Sequence, residues 1–227
     1  RLRGAESRAD AAFCRRLCAG LDVPLVAGYW SEPLKTAGEA AARAARFEFF
    51  QSAMRARRMK VLWLGHQQDD VAESMLMRLA RGSGAAGLAA PRALHEHPAG
   101  RMHVRPLLTL KKAEVCAALR KAGVAWREDS SNAGESFFRN RIRKTVVPIW
   151  GEAAGRDALA GAALSRQLLE EDDVALELWV DRTGAIDAAG NLNLACLRDV
   201  PRAVVRRALH RWMARQGVRF EISRQAL

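Results

Sequence analysis

The chain has no apolar run approaching the roughly 18 residues that a membrane-spanning helix requires. Its start has no basic segment leading into an apolar stretch, so no secretory signal is read there. Cysteine is scarce. The four cysteines, Cys14, Cys18, Cys116 and Cys196, are scattered, and a disulfide framework is not expected. Cys14 and Cys18 are four apart on a predicted helix, which is neither a C-x-x-C redox pair nor a zinc knuckle. All four are read as reduced thiols of a cytoplasmic protein. Internal repeats and low-complexity tracts are absent, which excludes solenoids and repeat arrays. Acid is in deficit: 37 Lys and Arg stand against 25 Asp and Glu, for a net charge of +12.

That excess is unevenly placed. Residues 1–150 hold 26 basic and 14 acidic side chains, whereas residues 151–227 hold 11 of each. A one-sided basic balance suits a polyanionic partner such as nucleic acid. A solvated, arginine-rich surface produces the same count.

Apolar periodicity divides the chain into alternating elements. Residues 1–22 read as an amphipathic helix with Ala12, Phe13, Leu17 and Leu21 as its stripe. "VPLVAGYW" (23–30) reads as a strand. "GEAAARAARFEFFQSAMRARR" (38–58) is rich in alanine and straight-chain residues and reads as a long helix. "KVLWL" (60–64) reads as a buried strand, followed by an acidic helix from about Asp69 to Leu79 and the loop "RGSGAAG" (81–87). "MHVRPLL" (102–108) is extended. Residues 111–124 form a helix with Val115, Ala118 and Leu119 facing inward. "WREDSSN" (126–132) is a polar turn, and "ESFFRNRIRKTVVPIW" (135–150) is helical until near Pro148. Strands alternating with helices indicate a parallel sheet with helices on its faces. After residue 150 the texture becomes helical: one long helix (156–180), a glycine-cornered turn or hairpin, and an amphipathic helix (201–218) opening on proline. A domain boundary is placed near 150.

The chemistry is densest in "GHQQDDVAESMLMRLARGSGAAGL" (65–88). On a helix, Asp70 and Glu73 share one face, and Val71, Met75 and Leu79 lie opposite, toward the sheet. The acidic face is then free to line a cleft at the sheet's C-terminal edge, where open α/β sheets hold ligands. With His66 at the strand exit, two carboxylates can hold Mg²⁺ or an ammonium group, or position an attacking amine. Acids in a first turn also simply suit the helix dipole, which accounts for Asp69 and Asp70 better than for His66 and Glu73. The glycines of 81–87 let backbone N–H groups approach a phosphate or a base, although a plain C-cap needs only one glycine. "RNRIRK" (139–144) is densely basic. Arg139 and Arg143, four apart, can clamp a phosphate or form a solvated face.

Taken in order, these segments resemble the tRNA(Ile)-lysidine synthetase family of the PP-loop ATP pyrophosphatase superfamily. "ARAARF" (42–47) is similar to its A-R-x-x-R-aromatic helix, and "GHQQDDVAESMLMRLARGSGAAGL" to its H-x-x-D-D-x-x-E-T segment running into R-G-S-G-x-x-G-L. "VRPLL" (104–108) resembles R-P-L-L, "WREDSSN" resembles W-x-E-D-x-S-N, and "FRNRIRKTVVP" (138–148) resembles R-N-x-x-R-x-x-V-x-P. "LACLRDVPRAVVRRALHRWM" (194–213) is similar to the start of the family's later tRNA-binding region. Ser74 stands where the acidic motif usually has Thr.

The resemblance implies a Rossmann-like α/β sheet, incomplete at its N-terminal end, followed by a mostly helical second domain. Residues 1–150 would be a partial PP-loop ligase domain, and 151–227 a linker helix with part of a tRNA-binding domain. The reaction implied is ATP-dependent ligation of L-lysine to the wobble cytidine of the CAU anticodon of tRNA(Ile). It passes through an adenylated cytidine and releases pyrophosphate and AMP. By position, Arg46, His66, Asp70 and Glu73 match catalytic residues, with Asp70 also a Mg²⁺ ligand. Arg81, Gly82, Ser83 and Gly84 match a nucleotide-side loop near the reacting base. Arg43, Arg139, Asn140 and Arg143 match substrate and tRNA contacts. ATP and Mg²⁺ are implied as cofactors, and the layout allows a homodimer. The family's S-G-G-x-D-S pyrophosphate loop is absent, so truncation at the N-terminus and an inactive chain are expected. The end at "FEISRQAL" suggests an incomplete later domain as well. Two other readings compete: a tRNA thiolase of the same superfamily, which would need paired cysteines, and a non-catalytic RNA-binding module.

Overall fold

The computed structural model describes residues 4–30, 39–97, 100–128 and 137–217. Parts of the predicted 126–132 turn and of the 135–150 helix, and the chain's last ten residues, lie outside these segments. The described chain forms two compact units, Arg1–Glu73 with Arg92–Leu159, and Ser74–Pro91 with Ala160–Leu227.

In the first unit, α1 (Gly4–Gly20) and α2 (Glu39–Ala56) precede β1 (Val61–Trp63). β2 (Leu94–His97) and β3 (Arg101–Val104) complete a three-stranded sheet of order β1-β3-β2. β1 and β3 run parallel with Trp63 opposite Val104, and β2 returns antiparallel with His95 opposite His103. The class is α/β as expected, and the described sheet is mixed rather than purely parallel. α3 (Gln68–Leu79) leaves β1, and α5 (Lys112–Lys121) follows β3. α6 (Phe138–Arg141), a π-helical turn (Ile142–Val146) and α7 (Val147–Ala154) form one continuous helical run.

Several local expectations are corrected. Residues 23–30 form no strand. Pro24 removes a ladder donor, and no described strand pairs with the segment. Gly28 instead passes close to the Phe49 ring, where a Cβ would lie 2.5 Å from the ring carbon Cε2. β1 is not buried: Trp63 is 71% exposed, and among the described residues β3 is the one strand paired with β1. Leu79 is exposed while Val71 is fully buried, so the inward stripe of α3 stops short of its last turn. On α5, Val115 and Leu119 are half-buried and Ala118 is exposed. The helix through Pro148 does not stop there. The amide of Val147 bonds the carbonyl of Ile142, five residues back. This wider turn carries the helix past a residue that has no N–H of its own.

The second unit holds α4 (Ala85–Leu88), α8 (Ala158–Thr183) and α9 (Arg202–Arg215), and α8 and α9 contribute to a small core of Val180, Ala185, Leu197, Val204 and Ala208. The predicted hairpin is an Ile186–Leu192 bridge followed by a 3₁₀ turn (Leu194–Leu197). Arg207 is paired with Asp173 and Glu177, and Arg211 with Glu177 and Asp181, joining α9 to α8. All four cysteines are free thiols. No described helix is long and apolar enough to cross a membrane.

Candidate active site: two carboxylates, two guanidiniums and a histidine

The register of β1 and β3 builds the site. Leu64 donates to the carbonyl of Val104 at 2.8 Å, the last rung of the parallel ladder. The chain then leaves the sheet at the same edge from both strands, toward His66 and α3 on one side and to Arg105 on the other. At the start of α3, Asp70 Oδ2 accepts the amide of Gln67 at 2.8 Å, a carboxylate reaching back over the first turn. Its neighbour Asp69 turns away and accepts the amide of Lys112 at 2.7 Å, satisfying a first-turn donor of α5. The adjacent aspartates therefore do different work: Asp69 ties two helices together, and Asp70 faces the site.

Glu73, one turn on, is 1% exposed. Arg139 donates Nε to Glu73 Oε2 at 2.7 Å and Nη2 to Asp70 Oδ1 at 2.5 Å. Arg143 donates Nε to Glu73 Oε1 at 2.5 Å and Nη2 to Oε2 at 3.0 Å. Hydrogen bonding to Glu73 pushes Arg143 above its ordinary value, against its own partial burial. The acidic face is thus covered rather than free, since a buried carboxylate must be paired. Two acids and two guanidiniums balance in formal charge. Every carboxylate oxygen of the pair already accepts an N–H, and a dication would sit beside two guanidiniums. The geometry does not fit a magnesium ion on Asp70, and no described cluster of three His, Cys, Asp or Glu side chains could hold a metal.

His66 lies within electrostatic reach of Asp70 and Arg139 and is bonded by Arg105. Arg105 Nε donates to His66 Nδ1 at 3.3 Å, and its Nη1 donates to the carbonyl of Arg92 at 2.7 Å. Burial lowers the pKa of His66. Asp70 opposes that shift, and Arg105, Arg139 and Arg43 add to it. Arg43 also lies over the Phe47 ring, 5.0 Å from its centre. Arg46, one turn further along α2, is exposed and donates to neither carboxylate. Asn140 is buried within α6. Arg105 is the site residue that sequence reasoning left without a role, and its signal was the arginine of "VRPLL".

The loop 81–84 belongs to the other unit. The amides of Arg81 and Ser83 bond the carbonyl of Arg78, and the amide of Gly82 bonds that of Leu79. Gly82, with φ 71°, makes the left-handed turn this requires. These three N–H groups therefore close the end of α3 and do not form an open phosphate cradle. Arg78 Nη1 braces the loop by donating to the carbonyl of Gly87 at 2.6 Å.

The family described as the PP-loop domain matches residues 1–150. The chain is 43% identical over 149 residues to the tRNA(Ile)-lysidine synthase of Solibacter usitatus, covering 65% of this chain and 32% of that protein. It is 31% identical to the Bacillus subtilis enzyme of the same name, over 92% of this chain and 46% of the relative. The Chlorobaculum tepidum enzyme is 30% identical, over 96% and 67%. The chain thus spans between about a third and two thirds of these relatives. The U34-tRNA thiolase NcsA of Methanococcus maripaludis, solved with its [4Fe-4S] cluster, superposes with a TM-score of 0.57 at 14% identity. That alignment covers 71% of this chain and 56% of NcsA, a likeness of fold.

Proposed function

Because the chain belongs to the tRNA(Ile)-lysidine synthase family of PP-loop proteins, we propose that it is the lysine-ligating part of such an enzyme. The reaction joins L-lysine to the wobble cytidine of tRNA(Ile) with a CAU anticodon. ATP adenylates the cytosine carbonyl oxygen and pyrophosphate leaves. The lysine ε-amine then attacks the activated carbon and AMP departs. The observation that carries this reading is the balanced cluster of Asp70, Glu73, Arg139 and Arg143. Free lysine brings a carboxylate and ammonium groups. A site of paired acids and guanidiniums can exchange its internal partners for those of the substrate, leaving only the single net positive charge of lysine to be offset.

Arg43 and Arg46, on one helix beside the cluster, supply positive charge toward the adenylate and the tRNA phosphates. Asn140, between Arg139 and Arg143 in sequence, would join them in contacting substrate or tRNA. Mg²⁺, if used, would enter with the ATP and not on Asp70. Residues 1–150 would supply the ligase function, and 151–227 a linker helix and tRNA-binding residues. The enzyme acts in the cytoplasm.

The test is lysine incorporation into tRNA(Ile) transcript by a completed enzyme carrying these residues. Asp70→Ala should abolish most lysidine formation. Turnover near the unmutated rate would remove Asp70 from the mechanism. The tRNA contact should weaken steeply with added salt as phosphate contacts release counterions.

A further inference from the structure

Arginine has no hydrogen-bond acceptor, so the hydrogen in the Arg105–His66 contact comes from Arg105 Nε. His66 Nδ1 must then present its lone pair. A neutral imidazole carries its one proton on the other nitrogen. From this geometry we propose that Arg105 is a positioning residue: it holds His66 in the Nε2–H tautomer, so that His66 meets the substrate as a hydrogen-bond donor.

The supports of Arg105 make the constraint firm. Its backbone amide is fixed to the carbonyl of Ala93 at 2.9 Å, its Nη1 to the carbonyl of Arg92 at 2.7 Å, and its side chain is buried. The planar fork spans Arg92 and His66 together, which the single ammonium of lysine cannot do. The charged groups facing His66 are Asp70 from α3, Arg105 from the end of β3, Arg139 from α6 and Arg43 from α2. Three cations against one carboxylate, together with burial, keep the ring neutral. A second proton could enter only at Nδ1, where it would oppose the N–H of Arg105.

The consequence rests on the lysidine-forming reading. Nε2–H is suited to donate to an oxygen that gains charge as AMP departs. Nδ1 is closed as a base, so the proton lost by the attacking ammonium goes to another acceptor.

The experiment reads the tautomer directly. Long-range ¹H–¹⁵N correlation spectra of the ¹⁵N-labelled chain are recorded near neutral pH. His66 is assigned by the signal that disappears in His66→Gln. The expected pattern is an unprotonated Nδ1 and a protonated Nε2. In Arg105→Gln the ring should become a mixture of tautomers, with its titration midpoint raised toward the ordinary histidine value. Arg105→Lys should give the same direction of change if the glutamine variant does not fold. An Nδ1–H or mixed tautomer in the unmutated chain overturns the proposal, as does an unchanged His66 pattern in a folded Arg105 variant. No nucleotide, lysine or tRNA enters this measurement. Failed ligation by the completed enzyme with the tautomer as described would count against the functional reading alone.

Discussion

Arg143 grips Glu73 with both arms of its fork, Nε on Oε1 at 2.5 Å and Nη2 on Oε2 at 3.0 Å, across seventy residues of chain. This bond and its partner from Arg139 convert an exposed-looking acidic helix face into a buried ionic centre.

Glu73→Gln should therefore destabilise the fold. It leaves two guanidiniums facing each other beside a single carboxylate. Breaking a buried pair costs about 3 kcal/mol, and the half-exposed arginines reduce that somewhat. Urea unfolding checks this. A loss below about 0.5 kcal/mol, the level of ordinary surface substitutions, would mean that water already screens the cluster.

Arg139→Ala and Arg143→Ala should not add. Both side chains bind Glu73 Oε2, so each single change lets the survivor re-form around the carboxylate. A double-mutant cycle should give a coupling of about 1–2 kcal/mol. Additive losses would show two independent pairs.

Asp69→Ala should separate from Asp70→Ala. Asp69 caps the first turn of α5 through the amide of Lys112. Its loss should cost about 1 kcal/mol in unfolding and leave lysine incorporation by the completed enzyme nearly unchanged. A deep loss of turnover with unchanged stability would reassign Asp69 to the chemistry.

His103 should make the fold acid-sensitive. Burial, then His97, Arg105, His95 and Arg101, lower its pKa from 6.5 to about 4. It shares a 2.9 Å hydrogen bond with His97. The unfolded chain takes up this proton first, so the stabilising contribution is fully present above pH 6.5. It is lost as pH falls through about 4. Urea midpoints measured from pH 7 downward should fall more steeply for the unmutated chain than for His103→Gln. Parallel profiles would contradict the assignment.

Local order was legible wherever one residue's neighbours in sequence are also its neighbours in space. The alanine-rich run predicted α2, the Asp-Asp start and apolar spacing predicted α3, and Pro201 marked the start of α9. Residues 23–30 were misread because strand propensity is satisfied only by a partner, and no described strand provides one. Trp63 was misread for the same reason. Periodicity reports that a side chain is apolar, whereas burial depends on what lies opposite it. The wide turn before Pro148 was also hidden, since proline usually ends a helix and here the preceding turn stretches instead.

The sequence by itself determined which residues carry charge, which share a helix face, and which family the ordered motifs resemble. Those properties follow from residue type and short-range spacing. Only the tertiary structure decided that Glu73 is enclosed by Arg139 and Arg143, that Asp69 and Asp70 part ways, and that Arg105 sets the lone pair of His66. Each of these joins elements far apart in the chain. For His66 and Arg105, the parallel pairing of β1 with β3 brings the two within hydrogen-bond distance.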